Sequence, residues 1–302
     1  MAVGNSKYLD ADVVDEIKQL ELVARGAVEG ARIGAHRSRL RGLSTTFSHH
    51  RPYVPGDEVK HVDWRVYSRT NRYHVKLYEA ETNFDANLLI DASASMRYGS
   101  DGMTKMEYAK HMAAALAFLV VEARDSAAIG VFDEVLRDYI PPRSSMAVLG
   151  DMVEILNKTE GNSRTNVGGI LQSFASRIKR RGFVMLFSDL LDDEEGFIKG
   201  LNQLCFAGHN VVIFHILDHA ELTFPFDGQV RFNGLEGEEA ILTQPDRVRA
   251  AYLEELNKLI TTYRRACDRS GADYVLVDTR RPVREVLVEY LNVRRVMSWG
   301  RI

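Results

Sequence analysis

The chain has 302 residues, of which 45% are hydrophobic and 27% charged, with a formal net charge of −3. This is the composition of an ordinary globular protein, and so small a net charge singles out neither an acidic nor a basic partner. Two cysteines, Cys205 and Cys267, provide no disulfide framework and no metal-ligand spacing, so both are expected to be reduced, as in a cytoplasmic protein. The N-terminus carries no apolar signal core, and the longest apolar run, Met112–Val121, has ten residues, too few to span a membrane.

Residues 10–32 place Val13, Val14, Ile17, Leu20, Val23 and Val28 at helical spacing behind Asp10, which predicts a helix. Residues 31–76 differ from the rest: ten Lys and Arg stand against three acids, and five of the nine histidines fall here. Pro52 and Pro55-Gly56-Asp57 mark turns in this stretch. Residues 73–80 alternate at period two and predict an edge strand. Beyond them, strand-like and helix-like runs take turns. Strands are expected at 85–90, 127–132, 136–140, 183–187, 211–217 and 273–277. Helices are expected at 105–124, 146–156, 167–179, 194–206, 247–269 and 284–296, and a hairpin within 221–243. Such alternation implies βαβ units around a mainly parallel sheet. Two domains are expected: residues 1–82, a helix and a basic β-containing appendage, and residues 83–302, the α/β domain.

The most informative stretch is 85–95, Asp-Ala-Asn-Leu-Leu-Ile-Asp-Ala-Ser-Ala-Ser. A short apolar run, Leu88–Ile90, delivers Asp91, Ser93 and Ser95 just beyond its carboxyl end, where open α/β sheets place their ligands. One carboxylate and two hydroxyls make a hard-oxygen set suited to Mg²⁺ or Mn²⁺.

Asp91-x-Ser93-x-Ser95 resembles the metal-ion-dependent adhesion site of von Willebrand factor A domains. The resemblance implies a threonine and an aspartate on two further loops. Thr165, before a predicted helix, and Asp189, at the end of the run from Phe183, match in chain order. It also implies a doubly wound, von Willebrand A-like sheet with helices on both faces, and a site that a partner's carboxylate completes. A second resemblance lies in the basic segment. Gly34–Gly42, Phe47, Arg51–Asp57 and Val62–Arg69 are similar to the signature of the domain-of-unknown-function 58 family. That family joins such a segment to a von Willebrand A-like domain. Its members are commonly encoded beside MoxR-type AAA+ ATPases, and many carry membrane helices that this sequence lacks. The implied function is a non-enzymatic adaptor or co-chaperone that couples such an ATPase to client proteins.

Two other functions compete with this reading. The first is a metal-dependent hydrolase of a phosphorylated or acidic substrate. Against it, a dehalogenase-type phosphatase needs an aspartate where Ser93 stands, and the serines lack the Gly-x-Ser-x-Gly setting of a hydrolase elbow. No phosphate-binding Gly-x-x-x-x-Gly-Lys-Ser/Thr loop is present either. The second is a nucleic-acid-binding adaptor that uses residues 31–76, where basic residues interleave with Tyr53, Trp64, Tyr67 and Tyr73. No nucleic-acid motif accompanies that charge. Arg37, Arg39, Arg41, Arg69 and Arg72 are the expected partner-binding residues. Arg51, Asp57, Asp63 and Arg65 are expected to pair with each other, Trp64 to pack on the main domain, His215 to be a satisfied core residue, and Lys105 to be solvated at a helix start.

Overall fold

Leu88, Leu89 and Ile90 are all fully buried, yet successive side chains of a strand point to opposite faces. Both faces of this strand are therefore covered, as the unbroken apolar run requires. Leu88 and Ile90 belong to one core and Leu89 to another. In the computed structural model, which describes residues 45–54, 62–80, 84–161, 164–234 and 241–299, the strand is the centre of a six-stranded sheet.

That strand, β3 (Asp85–Asp91), is flanked by β4 (Ser126–Phe132) and β6 (Phe183–Ser188), both parallel to it. β7 (Asn210–Leu217) and β10 (Asp273–Asp278) extend the sheet in parallel on one side. β5 (Leu136–Arg143) closes the other side, antiparallel to β4. Counted within the sheet, the strand order is 3-2-1-4-5-6, the doubly wound order, with its switch point between β3 and β6.

The first core joins the sheet to helices Lys105–Glu122, Ala147–Lys158 and Val283–Trp299. The second joins it to Val167–Arg177, Glu194–Phe206 and Pro245–Ser270. Helix Lys105–Glu122 is buried along nearly its whole length, and Ala109, Ala113, Ala114, Ala115 and Ala117 let it lie close to its neighbours. A short helix, His219–Thr223, and a small antiparallel pair, β8 (Val230–Phe232) with β9 (Ile241–Thr243), fill the connection after β7. The pair is the hairpin expected within 221–243. Among the described residues, no helix is long and apolar enough to cross a membrane.

Helices Val167–Arg177 and Glu194–Phe206 cross through glycines. A Cβ on Gly168 would overlap the Gly196 carbonyl carbon, and one on Gly200 would lie 2.7 Å from the Leu171 Cβ. Gly168→Ala gains about 1 kcal/mol of helix propensity. The overlap with backbone outweighs it, so a net loss of about 1–3 kcal/mol is expected. Thermal unfolding of the variant reads this directly, and an unchanged or higher midpoint would show that the crossing can widen freely.

Residues 32–83 form a separate unit. Its described part pairs β1 (Thr45–Pro52) antiparallel with β2 (His74–Ala80). The period-two run at 73–80 is thus a strand, in a sheet of its own. A helix not foreseen from the sequence, Trp64–Thr70, starts at Asp63, whose carboxylate accepts from the Arg65 and Val66 amides. Asp63 also meets His50 Nε2 at 2.9 Å, a partner outside the set expected from the sequence. Trp64 is 56% exposed and meets the Tyr67 ring edge-on. Tyr67 in turn stacks on Tyr73 at 4.4 Å. Arg69 and Arg72 are exposed. The expected helix 10–32, together with Arg37, Arg39, Arg41 and Asp57, lies outside the described residues.

Candidate functional site

β3 ends on Asp91 and β6 on Ser188, one residue short of Asp189. The two aspartates therefore stand side by side at the carboxyl ends of the strands that bracket the switch point. Asp91 is fully buried. Its Oδ1 accepts from the Ser93 amide at 2.9 Å, which folds the chain back into the Ser93–Ser95 turn. Its Oδ2 accepts from the Ser188 hydroxyl at 2.6 Å and from the Thr165 hydroxyl at 3.2 Å. The Ser93 and Ser95 hydroxyls lie 3.0 Å apart, and Ser95 hydrogen-bonds to Asp189. Asp91, Ser93, Ser95, Thr165 and Asp189 thus lie together, drawn from three loops. Ser95 and Thr165 keep slight exposure, 8% and 9%, and mark the side open to solvent.

Thr165 is held by its surroundings. The Asn166 amide donates to the Asp133 carbonyl, and the Asn166 side chain caps helix Val167–Arg177 by accepting from Gly169 N. Gly161 abuts the Ser93 carbonyl so closely that a Cβ would collide with it, which ties this loop to the first. Asp192 and Asp193 start helices, as a carboxylate near an N-terminus does. Asp193 caps its own helix, and Asp192 accepts from the Val167 amide at 2.7 Å.

The turn after Asp189 is strained: Leu190 has φ +53, the left-handed region that disfavours leucine. Three side chains hold it there. The Ser188 hydroxyl accepts from Leu190 N, the Tyr263 hydroxyl donates to the Leu190 carbonyl, and His215 Nε2 donates to the Asp189 carbonyl at 2.8 Å. A carbonyl only accepts, so the proton sits on Nε2, and Nδ1 accepts from the Tyr274 hydroxyl at 2.6 Å. Burial pushes the His215 pKa down to about 4, so the ring is neutral. It is the satisfied core histidine that its place on a strand predicts.

Lys105 overturns its expected solvation. It is fully buried, and its Nζ donates to Asp189 Oδ2 and Glu221 Oε1, both at 2.7 Å. Burial alone would lower the pKa of this ammonium, but Asp189 and Glu221 outweigh that and raise it. Burial likewise opposes ionisation of Asp189, and Lys105 reverses the balance and holds its carboxyl below the usual range. Among the described residues, no such cation stands against Asp91. Burial first, then the neighbouring Asp189, pushes its carboxyl up to about 7.

A match to the family described as "Protein of unknown function DUF58" spans residues 49–259. The chain belongs to the DUF58 family. An uncharacterized protein of Mycobacterium tuberculosis is 24% identical over 224 residues, covering 73% of this chain and 70% of its own length. Among solved structures, BatB from Bacteroides thetaiotaomicron is 14% identical with a TM-score of 0.48, over 70% of this chain and 98% of its own. The SpRpn10 VWA domain is 13% identical with a TM-score of 0.40, over 69% and 95%.

In this DUF58 chain, the donor set suits a hard divalent cation on physical grounds. It is all oxygen, and Asp91 is a buried carboxylate with hydroxyl and amide donors but, among the described residues, no counter-charge. Among the described residues, no group of three or more His, Cys, Asp or Glu is placed to hold a metal ion. Hydroxyls and waters would therefore supply most of the ligand shell. Ser188, Lys105, Glu221 and His215 act on the site without having been singled out for it in the sequence. Ser188 is the one with a local signal, since it directly precedes Asp189.

Proposed function

We propose that this DUF58 protein is a non-enzymatic interaction module whose Asp91 site holds Mg²⁺ or Mn²⁺ and binds a carboxylate of a partner protein. The observation that carries the reading is the convergence of Asp91, Ser93, Ser95, Thr165 and Asp189 at the switch point of the sheet. When bound, the cation supplies an incompletely neutralised positive charge that attracts an acidic side chain. The chain's own groups do the rest. Ser93, Ser95 and Thr165 offer neutral oxygens, Asp91 offers the charge, and Asp189 is held in place by Lys105 and the Leu190 turn. His215, the imidazole on the Asp189 backbone, is neutral with both nitrogens engaged and has no role as a base. Resemblance to a family encoded beside MoxR-type AAA+ ATPases supports such an ATPase as one partner and its client proteins as others.

Capture of a purified MoxR-type ATPase on the immobilised chain tests this, run with Mg²⁺, with chelator, and with Asp91→Ala. Capture in Mg²⁺ that falls at least tenfold in the other two arms is the expected result. Capture indifferent to both treatments would move the interface off this site. Metal-dependent phosphoester turnover lost in Asp91→Ala would make the protein a hydrolase instead.

A further inference from the structure

We propose that the cavity beside Lys105 is a cage for a basic side chain, arginine or lysine, of a partner protein. The cavity measures about 370 Å³ and shares Ser95 with the oxygen site. That is near the lower end of ligand pockets, which run from about 300 to 1,000 Å³, and suits one long side chain rather than a cofactor.

Its walls are aromatic: Tyr98, Phe224, Phe226, Phe232 and Tyr252. Four of these come from the chain that follows β7. Their rings brace one another, with Phe224 stacked on Phe232 at 5.6 Å and 4.7 Å from Tyr252, and Phe226 edge-on to Phe232 at 5.3 Å. Arg249 clips this segment by donating to the Phe224 and Phe226 carbonyls. Phe224 itself has φ +47, so the turn that delivers the wall is strained and held. The cage is preformed, which spares a ligand the cost of ordering it.

Its floor is acidic. Glu221 lines it, with Asp189 and Asp218 behind, against the single ammonium of Lys105. Both tyrosines register the balance. Burial is the main cause that raises the Tyr98 hydroxyl pKa, and Asp218 and Glu221 add more than Lys105 removes. Tyr252 is pushed up to about 12 by burial, then by Glu221, again against a weaker Lys105. Three carboxylates face one ammonium, so an anionic guest meets an excess of like charge here, and an apolar one gains nothing from that excess. A cation gains from both the ring faces and the carboxylates. The inference needs no metal, so it stands or falls separately from the carboxylate site.

The test uses the whole chain in excess chelator with four acetylated, amidated tripeptides: Ala-Arg-Ala, Ala-Lys-Ala, Ala-Leu-Ala and Ala-Glu-Ala. Aromatic NMR resonances of Phe232 and Tyr252 are followed during titration. Saturable shifts with the arginine and lysine peptides are expected, and weaker binding of the other two. Phe232→Leu keeps apolar bulk and removes a ring face, so it should weaken the arginine peptide by about three- to tenfold and leave the leucine peptide unchanged. Tyr252→Leu gives the same reading should Phe232→Leu unfold. Leucine or glutamate peptide binding as tightly as arginine would overturn the proposal, and so would the absence of any saturable shift.

Discussion

Asp91→Asn is expected to stabilise the metal-free protein at pH 8 and to remove its response to Mg²⁺. Asp91 is fully buried, and its carboxyl is pushed from the ordinary 3.8 up to about 7. A group whose pKa rises on folding favours the fold at low pH, and that contribution is lost as pH climbs through its folded value. Above pH 7 the fold therefore carries an ionised carboxylate with no counter-ion among the described residues. Asparagine keeps the shape, and the Ser93 amide and the Thr165 and Ser188 hydroxyls can still pair with it. Denaturant unfolding in chelator should show a gain of about 1–3 kcal/mol at pH 8. The gain should shrink as pH falls toward 4, where Asp91 is protonated in the folded protein. Added Mg²⁺ should raise the midpoint of the wild type and not that of the variant, because a ligand stabilises only the state that binds it. Loss of stability at pH 8 in chelator would mean that the Asp91 charge is already compensated, and the case for a cation there would fail.

The parts of this site that were legible in the sequence are the parts whose chemistry is local. Leu88–Ile90 reads as a buried strand because three successive apolar residues need two covered faces, and Asp91, Ser93 and Ser95 follow from it by position alone. Thr165 and Asp189 were found because the resemblance implies a threonine and an aspartate on two further loops, and each stands beside a recognisable element, a helix start and a strand end. Lys105 was not legible. It opens a helix behind Thr104, where a lysine is ordinarily solvated, and its partners lie 84 and 116 residues away. Glu221 reads as a helix-start acid, and it does complete a capping box with Asp218. Its second role, toward Lys105, exists only once β7 lies near helix Lys105–Glu122. The aromatic wall was also hidden, because Phe224, Phe226 and Phe232 follow no period and only the turn at Phe224 and the β8–β9 pair bring them together. The helix Trp64–Thr70 was missed because its short run of aromatic and β-branched residues lacks helical composition, and the Asp63 cap decides it.

Lys105→Met should be the most damaging single change in the α/β unit, costing about 3–5 kcal/mol near neutral pH. Methionine approximates the aliphatic stem, so packing loss is small and the effect isolates the charge. The ammonium bridges Asp189, which is fully buried, and Glu221, whose side chain is 18% exposed. Removing it leaves two carboxylates facing each other without compensation, and breaking a buried pair from one side costs more than forming it gains. The pH dependence follows from the directions of the shifts. Asp189 is held below the ordinary 3.8 and Lys105 above the ordinary 10.5, so the pair stabilises the fold throughout the interval between those values. The deficit of the variant should therefore be largest between pH 6 and 9 and should narrow near pH 4, where carboxylates left without a partner take up protons. Lys105→Met with Glu221→Gln should recover about 1–2 kcal/mol, because the second change removes one of the two stranded charges. Thermal and denaturant unfolding of the three proteins at two pH values measures all of this. A single variant with wild-type stability at pH 7 would show that Asp189 finds another partner. The same set of proteins also separates scaffold from site. If Lys105 acts on binding by fixing Asp189, the double variant should regain stability while its Mg²⁺ response stays weak, since neither change restores the donor that holds Asp189 Oδ2 in place.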